Sequence, residues 1–282
     1  MALKLMYITN NPTIAKIAES SGVDRIFVDL EIIGKAIRQG GMDTVQSHHT
    51  LSDVKLIKES LSKSELLVRC NPIHKNVDGY LDTKEEIEEI IKNGADIIML
   101  PFFKTKEEVE FFIKCVNNRV KTMLLFETPE SINCLDQILN IEGIDEVFIG
   151  LNDLSLGYHK KFMFELLSNG LVEDVCYKFK KKGLIYGFGG VAAIGQGTLP
   201  AEKIIKEHYR LGSSSVILSR SFCNVDKIKN IEEIKSIFFN GLKAIRKLEK
   251  ECKKHKDYFE ENRIEVVNIV NSITEVEKWF FL

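Results

Sequence analysis

Glu127 stands at the end of the apolar run "KTMLLF", and Asp153 closes "EVFIGLND", the next such run. Carboxylates are hard oxygen ligands suited to a divalent cation, and two of them leave coordination positions for water and substrate. Such an open arrangement belongs to catalysis rather than to structural metal binding. Ligand type favours Mg2+ or Mn2+ and leaves Co2+ and Zn2+ open. Asp29 and Glu31 follow the run "RIFV", and Arg69 follows "ELLV". An arginine there presents a planar fork of donors to a carboxylate or to a developing enolate oxygen. It could equally pair with Asp29 or Glu127 and only close off the strand ends. Taken singly, each of these charges has an ordinary reading as a solvated loop charge or a structural ion pair. Their recurrence at equivalent positions is what points to a site.

The elements that would carry these residues alternate regularly. "KLMYIT" precedes "TIAKIAESSG", "RIFVDL" precedes "LSDVKLIKESL", "ELLVRC" precedes "TKEEIEEIIKNG", and "DIIML" precedes "TKEEVEFFIKCV". "KTMLLF" then leads to "PESINCLDQIL", "EVFIG" to a helical stretch near 162–182, "LIYGF" to "PAEKIIKEHYRLG", and "SVILS" to a long charged helix from about Ile231. Runs of four to six apolar residues suit parallel strands covered on both faces, and the longer segments have the helical period. Gly94 and Gly212 stand where helices should end, and Thr105 with Glu108 has the form of a capping box. About eight such units, with no GxGxxG after the first strand, predict an α/β fold: a (β/α)8 TIM barrel with a C-terminal helical extension. Chemistry then belongs at the C-terminal strand ends, where Asp29, Arg69, Glu127 and Asp153 lie. The expected division is a barrel over 1–225 and C-terminal helices over 226–282.

Composition narrows the partners. The 282 residues are 44% hydrophobic and carry a formal net charge of −2. This gives neither a basic field for nucleic acid nor an acidic tail, so a small-molecule partner is expected. The six cysteines form no CxxC pair and read as thiols in a reducing compartment. No run approaches the length of a membrane span, and a soluble, cytoplasmic protein is expected.

"RIFVDLE", "LLVRCNP", "NGADIIMLPFFKTKEEVEFF", "FETPESI" and "GIDEVFIGLNDLSLGY" together resemble the ordered motifs of the HpcH/HpaI aldolase/citrate lyase family, the metal-dependent class II pyruvate aldolases. The resemblance covers about residues 20 to 225. It implies a phosphoenolpyruvate/pyruvate-type barrel with Glu127 and Asp153 as metal ligands and Asp29 and Arg69 as catalytic residues. Arg69 would stabilise an enolate oxygen formed from pyruvate or a related 2-oxo acid. The amides of Phe102 and Phe103 would approach the substrate carboxylate. By the same analogy the products or acceptors are aldehydes, and subunits assemble into homo-oligomers. The related activities left open are a lyase acting on an acyl-CoA thioester and a barrel that binds a 2-oxo acid or phosphosugar without turnover.

Three departures bear on the chemistry. Family members carry a histidine directly after the strand-two acidic pair, where this chain has Ile32. A long insertion follows, ending in "HHTLSDV", so His49, and after it His48, becomes the candidate base or proton shuttle; "HHT" reads equally as a helix start capped by Thr50 or Ser52. Leu125 replaces a polar residue before Glu127. The glycine-rich "YGFGGV" and "SVILSRSF" place Gly189, Gly190, Ser219 and Arg220 where barrels often bind anions, and a phosphate or carboxylate on a sugar-derived aldehyde is the expected ligand. The alternative is a tight turn, with Arg220 paired to an acidic residue of a neighbouring subunit. Finally, the C-terminal helices, which end in "WFFL", form a candidate subunit interface.

Overall fold

In a computed structural model the apolar runs form β1 (Lys4–Ile8), β2 (Arg25–Asp29), β3 (Glu65–Arg69), β4 (Ile97–Leu100), β5 (Lys121–Phe126), β6 (Glu146–Ile149), β7 (Ile185–Val191) and β8 (Ser215–Leu218). The structure describes residues 2–35 and 47–279, so the central part of the insertion after Glu31 and most of "WFFL" lie outside the described residues. The strands hydrogen-bond in chain order as a closed barrel, with parallel pairing, as in Asp29 opposite Arg69 and Leu100 opposite Leu124. This is the expected (β/α)8 barrel with helices after it.

Between the strands run α1 (Pro12–Ser21), α2 (Leu51–Ser60), α3 (Thr83–Lys92), α4 (Lys106–Val116), α5 (Pro129–Asn133), α6 (Leu135–Ile138), α7 (Leu151–Gly157), α8 (Glu165–Ser168), α9 (Leu171–Lys181) and α10 (Ala201–Leu211). The long α11 (Ile231–Lys254) and α12 (Phe259–Trp279) follow β8. Capping explains several starts. The Thr105 and Glu108 box forms as read from the sequence, and Asp82 with Glu85 makes another at α3. The helical stretch near 162–182 consists of two helices, α8 and α9. Gly170, at φ +91°, separates them, because an α-helix does not continue through a left-handed residue.

The chain divides into two compact units, Met6–Phe148 and Ile149–Leu282 together with Met1–Leu5. In the first unit Arg25, at the start of β2, is fully buried. It makes a bidentate pair with Glu146 at 2.6 and 2.7 Å and a third bond to Glu65 at 2.8 Å. These carboxylates begin β6 and β3, so one guanidinium pins the starts of three strands.

In the second unit α11 and α12 pack back on α10, and α12 also packs on α8. Phe238, Leu242, Ile245, Val266 and Val270 are buried there. The buried Glu249 of α11 accepts the Leu3 N–H at 2.7 Å and the Tyr209 hydroxyl at 2.9 Å, while Arg246 donates to the Leu3 carbonyl at 2.8 Å. His208 of α10 is 0% exposed. Its ring stacks on Phe188 of β7 at 3.8 Å, and its Nδ1 lies 2.8 Å from the Ser213 hydroxyl. Burial without a compensating anion pushes this imidazole down to about 3.

Candidate active site

Within Met6–Phe148 the ends of β2 and β3 converge on one ionic cluster. Asp29 is the last residue of β2, and Arg69, opposite it in register, is the last of β3. Arg69 donates from Nε to Asp29 Oδ1 and from Nη2 to Asp29 Oδ2, both at 2.8 Å, and its Nη1 lies 3.2 Å from Glu31 Oε2. Asp29 is 2% exposed and Glu31 0%. Burial pushes the Asp29 carboxyl upward, but the Arg69 guanidinium and Lys35 outweigh it and hold the group well below the usual carboxylate range. Asp29 is therefore an anion at neutral pH with both oxygens engaged. Burial acts against the charge on Arg69, yet Asp29 and Glu31 keep it firmly protonated, and Glu127 adds to the same effect. The arginine's pairing with Asp29, one of the two readings of its sequence position, is present. It fixes the plane of the guanidinium, which also sits over the Phe27 ring at 5.7 Å.

Lys35 joins this cluster, although nothing in its loop position announced it. Its Nζ donates to Asp29 Oδ2 at 2.8 Å and lies 3.5 Å from Glu31 Oε2, and the residue is 5% exposed. Lys35 follows Glu31 by one helical repeat, which is the one signal that could have suggested the contact. The turn carrying it is held by Asn71, whose Oδ1 accepts the Ile32 and Ile33 amides at 2.9 and 3.0 Å. Asn71 in turn donates from Nδ2 to the buried Glu86 at 2.7 Å. Burial raises the Glu86 carboxyl in spite of the Asn71 bonds. Asn71 and Glu86 are thus further residues that the motif reading passed over.

His49 lies beside the cluster: its Nδ1 accepts the Asp29 amide at 3.0 Å. Desolvation lowers the imidazole, and Asp29 and Asp53 offset this only in part. The ring is accordingly neutral, and with Nδ1 accepting, its proton sits on Nε2. A shuttle role for His49 requires the ring to release the Asp29 amide. The adjoining Thr50 is the N-cap of α2 and forms a capping box with Asp53, so "HHT" is also a helix start. His48 is exposed.

The "FETPES" motif builds the next corner. Glu127, buried directly after β5, accepts the Phe102 amide at 2.9 Å through Oε1. The Thr128 hydroxyl donates to the Phe103 carbonyl at 2.8 Å and accepts the Ser131 amide, capping α5. These contacts hold Phe102 at φ +49°, a left-handed conformation that an aromatic residue rarely adopts. The Phe102 amide, expected to face a substrate carboxylate, is engaged by Glu127. Phe103 is buried and packs edge-on against Phe126 at 5.1 Å, so its side chain belongs to the core. Leu125 is buried as well.

The remaining expected residues lie in the second unit. Asp153 is buried in the first turn of α7, which begins at Leu151 after β6 has ended at Ile149, rather than at the strand end itself. Gly189 and Gly190 fall inside β7, not after it, at a register irregularity against β8. Gly189 has φ +55°, a conformation that favours glycine, and a Cβ there would stand 2.8 Å from Leu151 Cδ1 and displace that side chain where β7 meets α7. Gly190 neighbours Ser219, whose amide donates to the Val191 carbonyl at 2.9 Å, and Arg220 is exposed.

Among the described residues no group of three or more His, Cys, Asp or Glu is gathered to hold a metal ion. Glu127 and Asp153 are each a buried carboxylate, the oxygen donor type that a hard divalent cation takes.

A closed (β/α)8 barrel with acidic and basic side chains assembled at its strand ends is a common frame for enzymes. The chain belongs to the HpcH/HpaI aldolase/citrate lyase family, whose description matches residues 4–167, and so stands among carbon–carbon lyases. It is 24% identical over 211 residues to the 2-keto-3-deoxy-L-rhamnonate aldolase of Escherichia coli O6:K15:H31 (strain 536 / UPEC), covering 63% of this chain and 70% of that one. To the protein of the same name in strain K12 it is 25% identical over 177 residues, 51% of this chain and 58% of the relative. Two crystal structures share the fold. The HpcH/HpaI aldolase of Desulfitobacterium hafniense DCB-2 has a TM-score of 0.59 at 15% identity, over 87% of this chain and 93% of that one. Citrate synthase SbnG has a TM-score of 0.58 at 15% identity, over 90% and 95%. Among the described residues no helix is long and apolar enough to cross a membrane.

Proposed function

We propose that the protein is a divalent-metal-dependent lyase that makes or cleaves a carbon–carbon bond between pyruvate, or a related 2-oxo acid, and an aldehyde, through an enolate. The observation that carries this reading is Arg69, a fully charged guanidinium oriented by Asp29 and Glu31 at the end of β3. Glu127 and Asp153 are the residues that would hold Mg2+ or Mn2+. The ion supplies positive charge that polarises the 2-oxo acid. Asp29 orients Arg69, whose role is to meet negative charge as it develops on the enolate oxygen; a preorganised donor of this kind lowers the barrier because it binds the transition state more strongly than the ground state. Glu127 fixes the Phe102 backbone, and His49 offers an Nε2–H donor beside Asp29.

The relatives' names favour a 2-keto-3-deoxy sugar acid as the cleaved substrate and a sugar-derived aldehyde as product. An anionic group on that aldehyde would meet Gly189, Gly190, Ser219 and Arg220. A homo-oligomer assembled through α11 and α12 completes the proposal.

The test is exchange of the pyruvate methyl protons in D2O, followed by NMR with the metal-stripped protein and after adding back Mg2+, Mn2+ or Co2+. Metal-dependent exchange that disappears in Glu127→Ala and Arg69→Ala supports the reading. Absence of exchange with every metal, in protein that binds metal tightly, refutes it and directs attention to acyl-CoA thioesters.

A further inference from the structure

Asp29 and Glu31 place two carboxylates in an environment almost closed to water, and one guanidinium, that of Arg69, meets both. Among the described residues, Lys35 brings a second positive charge to the same two carboxylates. Its ammonium shares Asp29 Oδ2 with Arg69 Nη2, each at 2.8 Å, and lies 3.5 Å from Glu31. The approach depends on a built turn: Asn71 accepts two successive amides at Ile32 and Ile33 and is itself anchored on Glu86, and the Lys35 amide donates to the Ile32 carbonyl at 3.1 Å. A surface lysine drawn in by chance would need no such support.

We propose that Lys35 is a positioning residue that balances Asp29 and Glu31, so that the charge of Arg69 is left to act on an anionic substrate oxygen. The reasoning is electrostatic. Two carboxylates facing one guanidinium cancel its field where an enolate would form, whereas a second cation on the same carboxylates returns it. The position also bears on the missing histidine, because the loop that departs from the family at Ile32 is the one that delivers Lys35. The link to catalysis rests on the function proposed above; the charge balance itself does not.

The experiment compares wild type, Lys35→Met, Lys35→Arg and the double variant Lys35→Met/Glu31→Gln. The first arm needs no substrate and reads the urea midpoint. Lys35→Met should lower it, and adding Glu31→Gln should recover it, since the cation and one of the two carboxylates it meets are then removed together. A double variant no more stable than Lys35→Met overturns the charge balance. The second arm reads Mg2+-dependent pyruvate exchange, with kcat and KM separated. Lys35→Met should lose about 10- to 100-fold, mainly in kcat, with Lys35→Arg and the double variant regaining most of it. Exchange equal in wild type and Lys35→Met overturns the positioning role while leaving the proposed function intact. Absence of exchange in wild type overturns the proposed function and the positioning role with it, and the urea arm still decides the charge balance.

Discussion

Mild acid should destabilise this protein through His208, a fully buried residue of α10. In the folded chain the imidazole lies stacked on Phe188 with no counter-charge, and burial pushes it down to about 3. Unfolded, it titrates near 6.5. Between these values the unfolded chain binds a proton that the folded one refuses, so stability falls as pH drops from about 6.5 toward 3 and is fully present above that window. At pH 5 the folded ring is neutral and the unfolded ring almost wholly charged. At about 1.36 kcal/mol per pH unit, roughly 1.5 units below 6.5 corresponds to a loss of about 2 kcal/mol relative to pH 7. The assay is urea unfolding at pH 7, 6 and 5 for wild type, His208→Gln and His208→Leu. Both variants abolish the titration, whatever else they cost, so their stability should depend on pH less steeply than the wild type by about 2 kcal/mol over this range. Identical pH dependence in all three proteins would refute the assignment of a neutral, proton-refusing His208.

Other outcomes follow from contacts already described. Arg25→Met, which removes the bidentate partner of the buried Glu146, should cost about 3–5 kcal/mol in chemical unfolding, and adding Glu146→Leu should recover much of it. Because Phe102 is left-handed, Phe102→Gly should be more stable than Phe102→Ala by about 1 kcal/mol, the reverse of the usual order in regular structure; thermal melts decide this. Glu127→Gln keeps an acceptor for the Phe102 amide, so its melting temperature should stay near wild type while Mn2+ binding, followed by electron paramagnetic resonance, is lost. Removing the chain from Asn230 onward strips the cover from α10 and should yield protein that no longer unfolds cooperatively in urea.

The barrel was legible because its signals are local. Ile97–Leu100 reads as a strand from four consecutive apolar residues, and the Thr105–Glu108 box marks a helix start within one turn. Glu127 could be placed because a single residue follows an unambiguous run. Asp153 was displaced by a turn, since Leu151, apolar like the strand before it, begins α7 instead of extending β6. Gly189 and Gly190 looked like a loop because glycine signals turns and bulges alike, and only the Leu151 contact distinguishes the two. Lys35 and the Arg25–Glu146 pair were hidden for a different reason. A charged residue in a sequence looks solvated until its partner is known, and Glu146 is far from Arg25 along the chain.

The grip of α11 on the first strand has a consequence for synthesis. Lys4 donates to the Ser214 carbonyl at 2.7 Å, and Leu3 is bonded at both its amide and its carbonyl by Glu249 and Arg246. At roughly 5–20 residues per second, on the order of tens of seconds separate the ribosome's making of the first strand from its making of those partners. During that interval the start of β1 lacks the bonds that hold it in the finished protein, and its strand edge is open to other chains. Chaperone demand in the cell should therefore depend on how quickly residues 214–249 emerge, and slow codons before that segment should lower the yield of folded protein without altering a single amino acid.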